Sequence, residues 1–262
     1  MKRCIIILLT LLILPLKVYA SDNNEAIIEE TETIFINLQD AINNAKDGDT
    51  ITLTSNVILT EKLTIPANTT LTINLNNKKL EVAKVEDNYG MVIKGNLTIE
   101  GNGTVITKGL YGLGVSTTGS LTIKGGTYKN ETGDYLIGNW NNTTIEDGTF
   151  YGNYCIVNGF AGNTVKILNG TFYNKEPDTI VLGKVKISGG TFNQNVENYL
   201  AEEMIITKRD NLYHINKTTE TFLELNRNKS NSKTIWIIIA LILIPSLLIS
   251  PKIYKKIKEK FI

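Results

Sequence analysis

The sequence predicts an all-β solenoid, a chain wound into stacked coils, and three observations carry that prediction. One phrase recurs four times: LTIKGGTYKN at Leu121 to Asn130, TTIEDGTFYGN at Thr143 to Asn153, VKILNGTFYN at Val165 to Asn174, and VKISGGTFNQN at Val185 to Asn195. Its Gly-Thr-aromatic cores begin at Gly126, Gly148, Gly170 and Gly190, a period of roughly 20 to 22 residues, which is the length of one coil in a stacked repeat. Within the phrase, Leu121-Thr122-Ile123, Val165-Lys166-Ile167 and Val185-Lys186-Ile187 alternate apolar and polar residues, the pattern of a strand with one buried face. The next pair is Gly125-Gly126, Asp147-Gly148, Asn169-Gly170 or Gly189-Gly190, residue types that reach positive φ cheaply, so the chain bends there.

After each bend, Thr-Phe or Thr-Tyr opens a second short strand with β-favouring residues. A single strand pair cannot bury its apolar side, but neighbours stacked at strand spacing can. The recurring Tyr128, Phe150, Phe172 and Phe192 are then expected to form an internal ladder.

The remaining elements follow in chain order. Met1-Lys2-Arg3, an apolar run from Ile5 to Leu14, and Val18-Tyr19-Ala20 mark residues 1–20 as a cleaved signal peptide. Residues 21–33 are polar and acidic without a period and read as a mobile leader. In LQDAINNAKDGDTITL, Leu38, Ala41, Ile42 and Ala45 share one side of a short helix that Asp47-Gly48 closes, suited to cover the open end of the first coil. The solenoid occupies 34–216, with Met204 to Thr207 and Leu212 to Ile215 as a last strand pair. Residues 217–233 form a polar stalk.

The uncharged run within 234–250 predicts a transmembrane helix. Trp236 suits its outer interface, and the basic tail 251–262 belongs on the cytoplasmic side. This gives a single-pass type I topology with the solenoid outside the cell. The whole chain has 27 basic and 26 acidic residues. Setting aside Lys2, Arg3, Lys17, Lys252, Lys255, Lys256, Lys258, Lys260 and Glu259 leaves about 19 against 25, a mildly acidic exported part that argues against nucleic-acid binding. Cys155 is alone in that part, so no disulfide forms within it. The Asn-x-Thr matches, such as Asn96-Leu97-Thr98, are weak glycan signals because Asn in solenoid turns has conformational reasons of its own.

The run LQDAINNAKDGDTITL, the strands around Leu63-Thr64-Ile65, Leu71-Thr72-Ile73 and Leu97-Thr98-Ile99, and the GGTY and GGTF phrases together resemble right-handed parallel β-helix proteins of the pectin-lyase-like group and of Gram-positive cell surfaces. The resemblance implies a right-handed parallel β-helix across nearly the whole exported part, and it leaves function open. Enzymes on this scaffold work with clustered Asp residues, often holding calcium, on successive coils. Here the equivalent positions are Lys124, Glu146, Leu168 and Ser188, then Gly125, Asp147, Asn169 and Gly189, so no acidic column is expected. Glu86-Asp87 and Asp134 are the acidic residues available to a cation, but as isolated loop residues they read as solvated, and the single His214 falls in the terminal strand pair in an ordinary surface or packing role. No catalytic set, metal or cofactor is predicted.

The binding expectation rests on aromatic residues. With Phe150 and Phe172 inside, Tyr151 and Tyr173 point outward from adjacent coils, where stacked rings can hold a sugar or a partner's apolar patch, and Trp140 is the candidate to join them. Gly109-Leu110-Tyr111-Gly112-Leu113-Gly114 reads as a tight loop between coils. The expected function is a membrane-anchored binding or adhesive module for polysaccharide or another surface. A carbohydrate-active enzyme and a passive spacer are its rivals.

Overall fold

The structure, a computed structural model, describes residues 24–82 and 88–218. The expected signal peptide (1–20), membrane helix (234–250) and basic tail (251–262) lie outside the described residues, as do Glu86, Asp87 and most of the stalk. Among the described residues no helix is long and apolar enough to cross a membrane.

The chain forms a β-solenoid whose coils cross three parallel sheets in turn, through six full coils and part of a seventh. One coil shows the plan: Ser120–Ile123 lies in the first sheet, Thr127–Asn130 in the second and Tyr135–Asn139 in the third. Register follows the sequence repeat, because a slip by one residue would turn every apolar side chain outward. Ile73, Ile99, Ile123, Ile145, Ile167 and Ile187 therefore stack as one inward column of the first sheet. In the second sheet Tyr128, Phe150, Phe172 and Phe192 form the expected ladder, with centroids 5.1, 4.7 and 4.5 Å apart and planes within 11° of parallel. All four are fully buried. Each stacked contact contributes about 0.5–1.5 kcal/mol beyond area burial.

The bend between the first and second sheets is made by Gly126, Gly148, Gly170 and Gly190, at φ of 89°, 133°, 122° and 107°. A Cβ on Gly190 would also lie 2.8 Å from the Gly170 carbonyl oxygen, so both conformation and close stacking of coils require glycine here.

Residues 21–33 are not a mobile leader throughout. Ala26–Ile28 and Thr33–Phe35 form antiparallel strands, and the first of them pairs with Thr50–Leu53 at the start of the first sheet. The reason lies in the exposed backbone of the first coil, whose N–H groups would otherwise lack partners. The acidic side chains satisfy some of them. Both carboxylate oxygens of Glu30 accept from the Thr50 N–H, at 3.0 and 2.9 Å, and Glu25 accepts from the Leu38 N–H at 2.7 Å. Glu29 accepts from the Thr52 hydroxyl.

The predicted helix spans Leu38–Asn44, with Asn37 Oδ1 accepting from the Asp40 N–H and Leu38, Ala41 and Ile42 buried. Its Gln39 carboxamide donates to the Thr64 carbonyl and accepts from the Thr64 N–H, both at 2.9 Å, acting as a substitute neighbour strand for the third sheet. At the other end Met204–Arg209 and Leu212–Lys217 pair antiparallel, and the latter closes the second sheet against Gly190–Phe192. His214 sits in this pair, with Nδ1 3.1 Å from the Thr191 hydroxyl.

Candidate functional site: an aromatic face on the third sheet

The third sheet carries a second aromatic assembly, and this one faces outward. Tyr89, Tyr111 and Tyr135 occupy equivalent positions on neighbouring strands, with ring centroids 5.2 Å apart in both steps. Trp140 and Phe160 follow the ends of two adjacent strands and stack at 4.8 Å with an 11° interplanar angle. The two groups meet nearly at right angles. Tyr111 stands 5.1 Å from Trp140 at 80° and 5.6 Å from Phe160 at 83°. Tyr154 adds an edge contact to Tyr135 at 5.7 Å. The result is a corner with one wall of tyrosines and one of Trp140 and Phe160.

Glycines make room for it. On each strand the residue after the inward Leu113 or Ile137 points out, and there the chain has Gly114 and Gly138. A Cβ on Gly114 would come within 2.5 Å of the Tyr89 ring, and one on Gly138 within 2.9 Å of Trp140 and 3.0 Å of Tyr111. Tyr89 and Tyr111 thus lie against bare backbone of the next strand, and Trp140 against that of its own. Gly112 and Gly114 belong to the strand Tyr111–Val115, so the glycine-rich run is not an intercoil loop as its composition suggests. Its small residues serve the rings rather than a turn, although Gly109 does bend at φ 110°.

Packing leaves Tyr89, Tyr111, Tyr135 and Trp140 half-buried, and Phe160 and Tyr154 exposed at 39% and 38%. Burial raises the Tyr111 hydroxyl above the ordinary tyrosine range, with Tyr89 and Asp134 adding to the effect. Burial likewise raises Tyr135, followed by Tyr154 and more weakly Tyr111, Cys155 and Asp134. These phenols stay neutral donors at physiological pH. Asp134, exposed at the tyrosine edge, brings a carboxylate to the same face.

The residues singled out from sequence divide between two faces. Tyr151 and Tyr173 do point outward from the second sheet and stack at 5.4 Å and 17°. Their column ends on both sides: Lys129 places its ammonium 5.1 Å from the Tyr151 ring, while the Asn193 side chain turns back to the Asn174 backbone. Trp140 does not join them. It lies beyond the third-sheet strand, a full corner away, and its partners are Phe160 and Tyr111.

Elsewhere, among the described residues, no three His, Cys, Asp or Glu side chains converge as a metal site. Lys124, Glu146, Leu168 and Ser188 do fall in one column, each N–H bonding to the preceding coil's isoleucine carbonyl. Lys124 stands 3.6 Å from Glu100 of the preceding coil. A cleft of about 560 Å³ lies by the capping helix, between Gln39, Glu61, Thr64 and Lys94. Compared with protein-family models, curated proteins and solved structures, the chain matches none.

Proposed function

We propose that this chain displays its β-solenoid outside a bacterial cell and uses the third-sheet aromatic face to bind polysaccharide. In this reading residues 1–20 are removed on export, 234–250 anchor the chain, and 251–262 remain in the cytoplasm. The coil winds right-handed, as connections between parallel strands overwhelmingly do and as the pectin-lyase-like resemblance implies. One observation supports binding above all: six aromatic rings gather outside the core, two of them well exposed, where they contribute nothing to the inner ladder. Rings of this kind hold the apolar face of a pyranose, while tyrosine hydroxyls and Asp134 supply polar contacts around its rim. The reading is non-catalytic.

The test is affinity electrophoresis of the full chain, in a detergent without a sugar headgroup, through gels containing soluble polysaccharides. Retardation by at least one glycan is expected. Trp140→Ala and Phe160→Ala should each weaken it by about 10-fold, the effect of losing one or two ring contacts of about 0.5–1.5 kcal/mol each. Tyr151→Ala should leave it unchanged. Equal sensitivity to Tyr151→Ala would move the site to the second sheet, and no retention by any glycan would end the sugar reading.

A further inference from the structure

Within the aromatic face one side chain stands apart. Asn158 lies on the strand Cys155–Gly159, paired with Gly138 on one side and Leu182 on the other, so it points outward, opposite to the inward Val157. It is nevertheless only 7% exposed. Register explains why: Phe160 stands to Asn158 as Trp140 stands to Gly138, whose backbone the Trp140 ring covers, and the two rings are stacked. The other buried asparagines are anchored through their amide nitrogens, although the Oδ1 atoms of Asn130 and Asn174 are buried without a partner. Asn130 donates to the Gly109 and Tyr135 carbonyls, Asn139 to the Asn141 carbonyl, and Asn174 to the Tyr154 carbonyl. The Asn158 carboxamide makes none of the hydrogen bonds found among the described residues, and its polar atoms are not among those sealed from solvent without a partner, so the amide of this largely buried residue keeps a path to the surface.

Resting on the polysaccharide reading above, we infer that Asn158 is the hydrogen-bonding group of the aromatic face and that it reads adjacent hydroxyls of a neutral pyranose held by the rings. A carboxamide offers a donor and an acceptor about one hydroxyl spacing apart, which suits a vicinal diol. Local charge points to a neutral sugar. Asp134 sits beside Tyr111 and Tyr135, where its carboxylate disfavours uronates, while the Lys184 ammonium is turned to the Gly162 carbonyl at 3.3 Å.

The experiment compares the full chain with Asn158→Ala, Asn158→Ser and Trp140→Ala in gels containing hydroxyethylcellulose, yeast-type mannan or polygalacturonate, alongside thermal melts. Retention by a neutral polymer and none by polygalacturonate is expected. Asn158→Ala should weaken retention by about 10-fold, the value of one to two hydrogen bonds, with an unchanged melting midpoint because the amide has no protein hydrogen bond to lose. Asn158→Ser carries the same expectation should the alanine variant fold poorly. If Trp140→Ala abolishes retention and Asn158→Ala does not alter it, the aromatic face stands and the role of Asn158 falls. A lowered melting midpoint accompanying the lost retention would make Asn158 a structural residue, and preference for polygalacturonate would overturn the neutral-sugar assignment. If none of the three polymers retains the parent chain, this inference falls with them, while the wider polysaccharide reading is decided by other glycans.

Discussion

Replacing Phe172 with alanine tests the inner ladder where it is most constrained. The ring is fully buried and lies between Phe150 at 4.7 Å and Phe192 at 4.5 Å, with planes tilted by only 8° and 4°. Removing a buried phenylalanine from a packed core costs about 3–5 kcal/mol. Here both stacked contacts go at once, and the space cannot collapse, because Thr171 and Phe172 are held in register with parallel strands on either side. The upper part of that range, about 5 kcal/mol, is therefore expected. Tyr173→Ala is the control: the neighbouring ring faces outward, and its loss should cost about 1 kcal/mol or less. Urea denaturation of the full chain, followed by far-ultraviolet circular dichroism, gives the magnitude. Hydrogen exchange gives the location, since in a repeat array the damage should centre on the coils either side of Phe172. A loss below about 1 kcal/mol, or equal losses for the two variants, would refute an internal ring and the stacked register with it.

Two further predictions concern the ends and the interior. Glu30 has its carboxyl held below the usual 4.5, chiefly by the Thr50 N–H, so its contribution is present above that value and is lost as pH falls through the lowered one. Glu30→Gln should speed exchange of the Thr50 amide by about 5-fold at neutral pH and remove the acid dependence of that exchange, leaving the central coils unaffected. Burial pushes the Cys155 thiol up to about 12, so a thiol reagent should label it about 100-fold faster in denaturant than in the folded chain. Rapid labelling of the native protein would place Cys155 at the surface.

What the sequence revealed and what it concealed have the same physical origin. The first and second sheets were legible because alternation, an Asp-Gly, Asn-Gly or Gly-Gly bend and an aromatic residue recur at nearly constant spacing, as at Gly126, Gly148 and Gly170. Residues 26–33 were not legible, because their strands are held by Glu25, Glu29 and Glu30 reaching backbone and hydroxyl donors elsewhere, a tie that leaves no local period. The aromatic face was found only through Trp140. Its signal exists in Tyr89-Gly90 and Tyr111-Gly112, one coil apart, followed by Tyr135 on the next. The third-sheet strands begin a variable distance after the second-sheet aromatics, from Tyr128 to Tyr135 but from Phe150 to Cys155, so a fixed period cannot bring them into line.

The two aromatic assemblies differ in a way that bears on their purpose. Stacked rings inside a solenoid follow from the repeat itself: strands about 4.8 Å apart bring identical residues into contact, and the buried ring is favoured in every coil that can hold it. Outward rings have no such support, since each leaves apolar surface in water and invites association with other molecules. If the outer cluster were merely a consequence of repetition, it would extend along the whole third sheet. It is confined to the coils around Gly114 and Gly138, and the same outward column carries Val92 before them and Asn158, then Leu182, after. Those two glycines are poor strand formers with no side chain to pack, and their presence is explained by the rings that lie on them. A local sacrifice of strand propensity that creates a local aromatic surface supports the proposed binding reading, and it is the reason to test this face before any other on the solenoid.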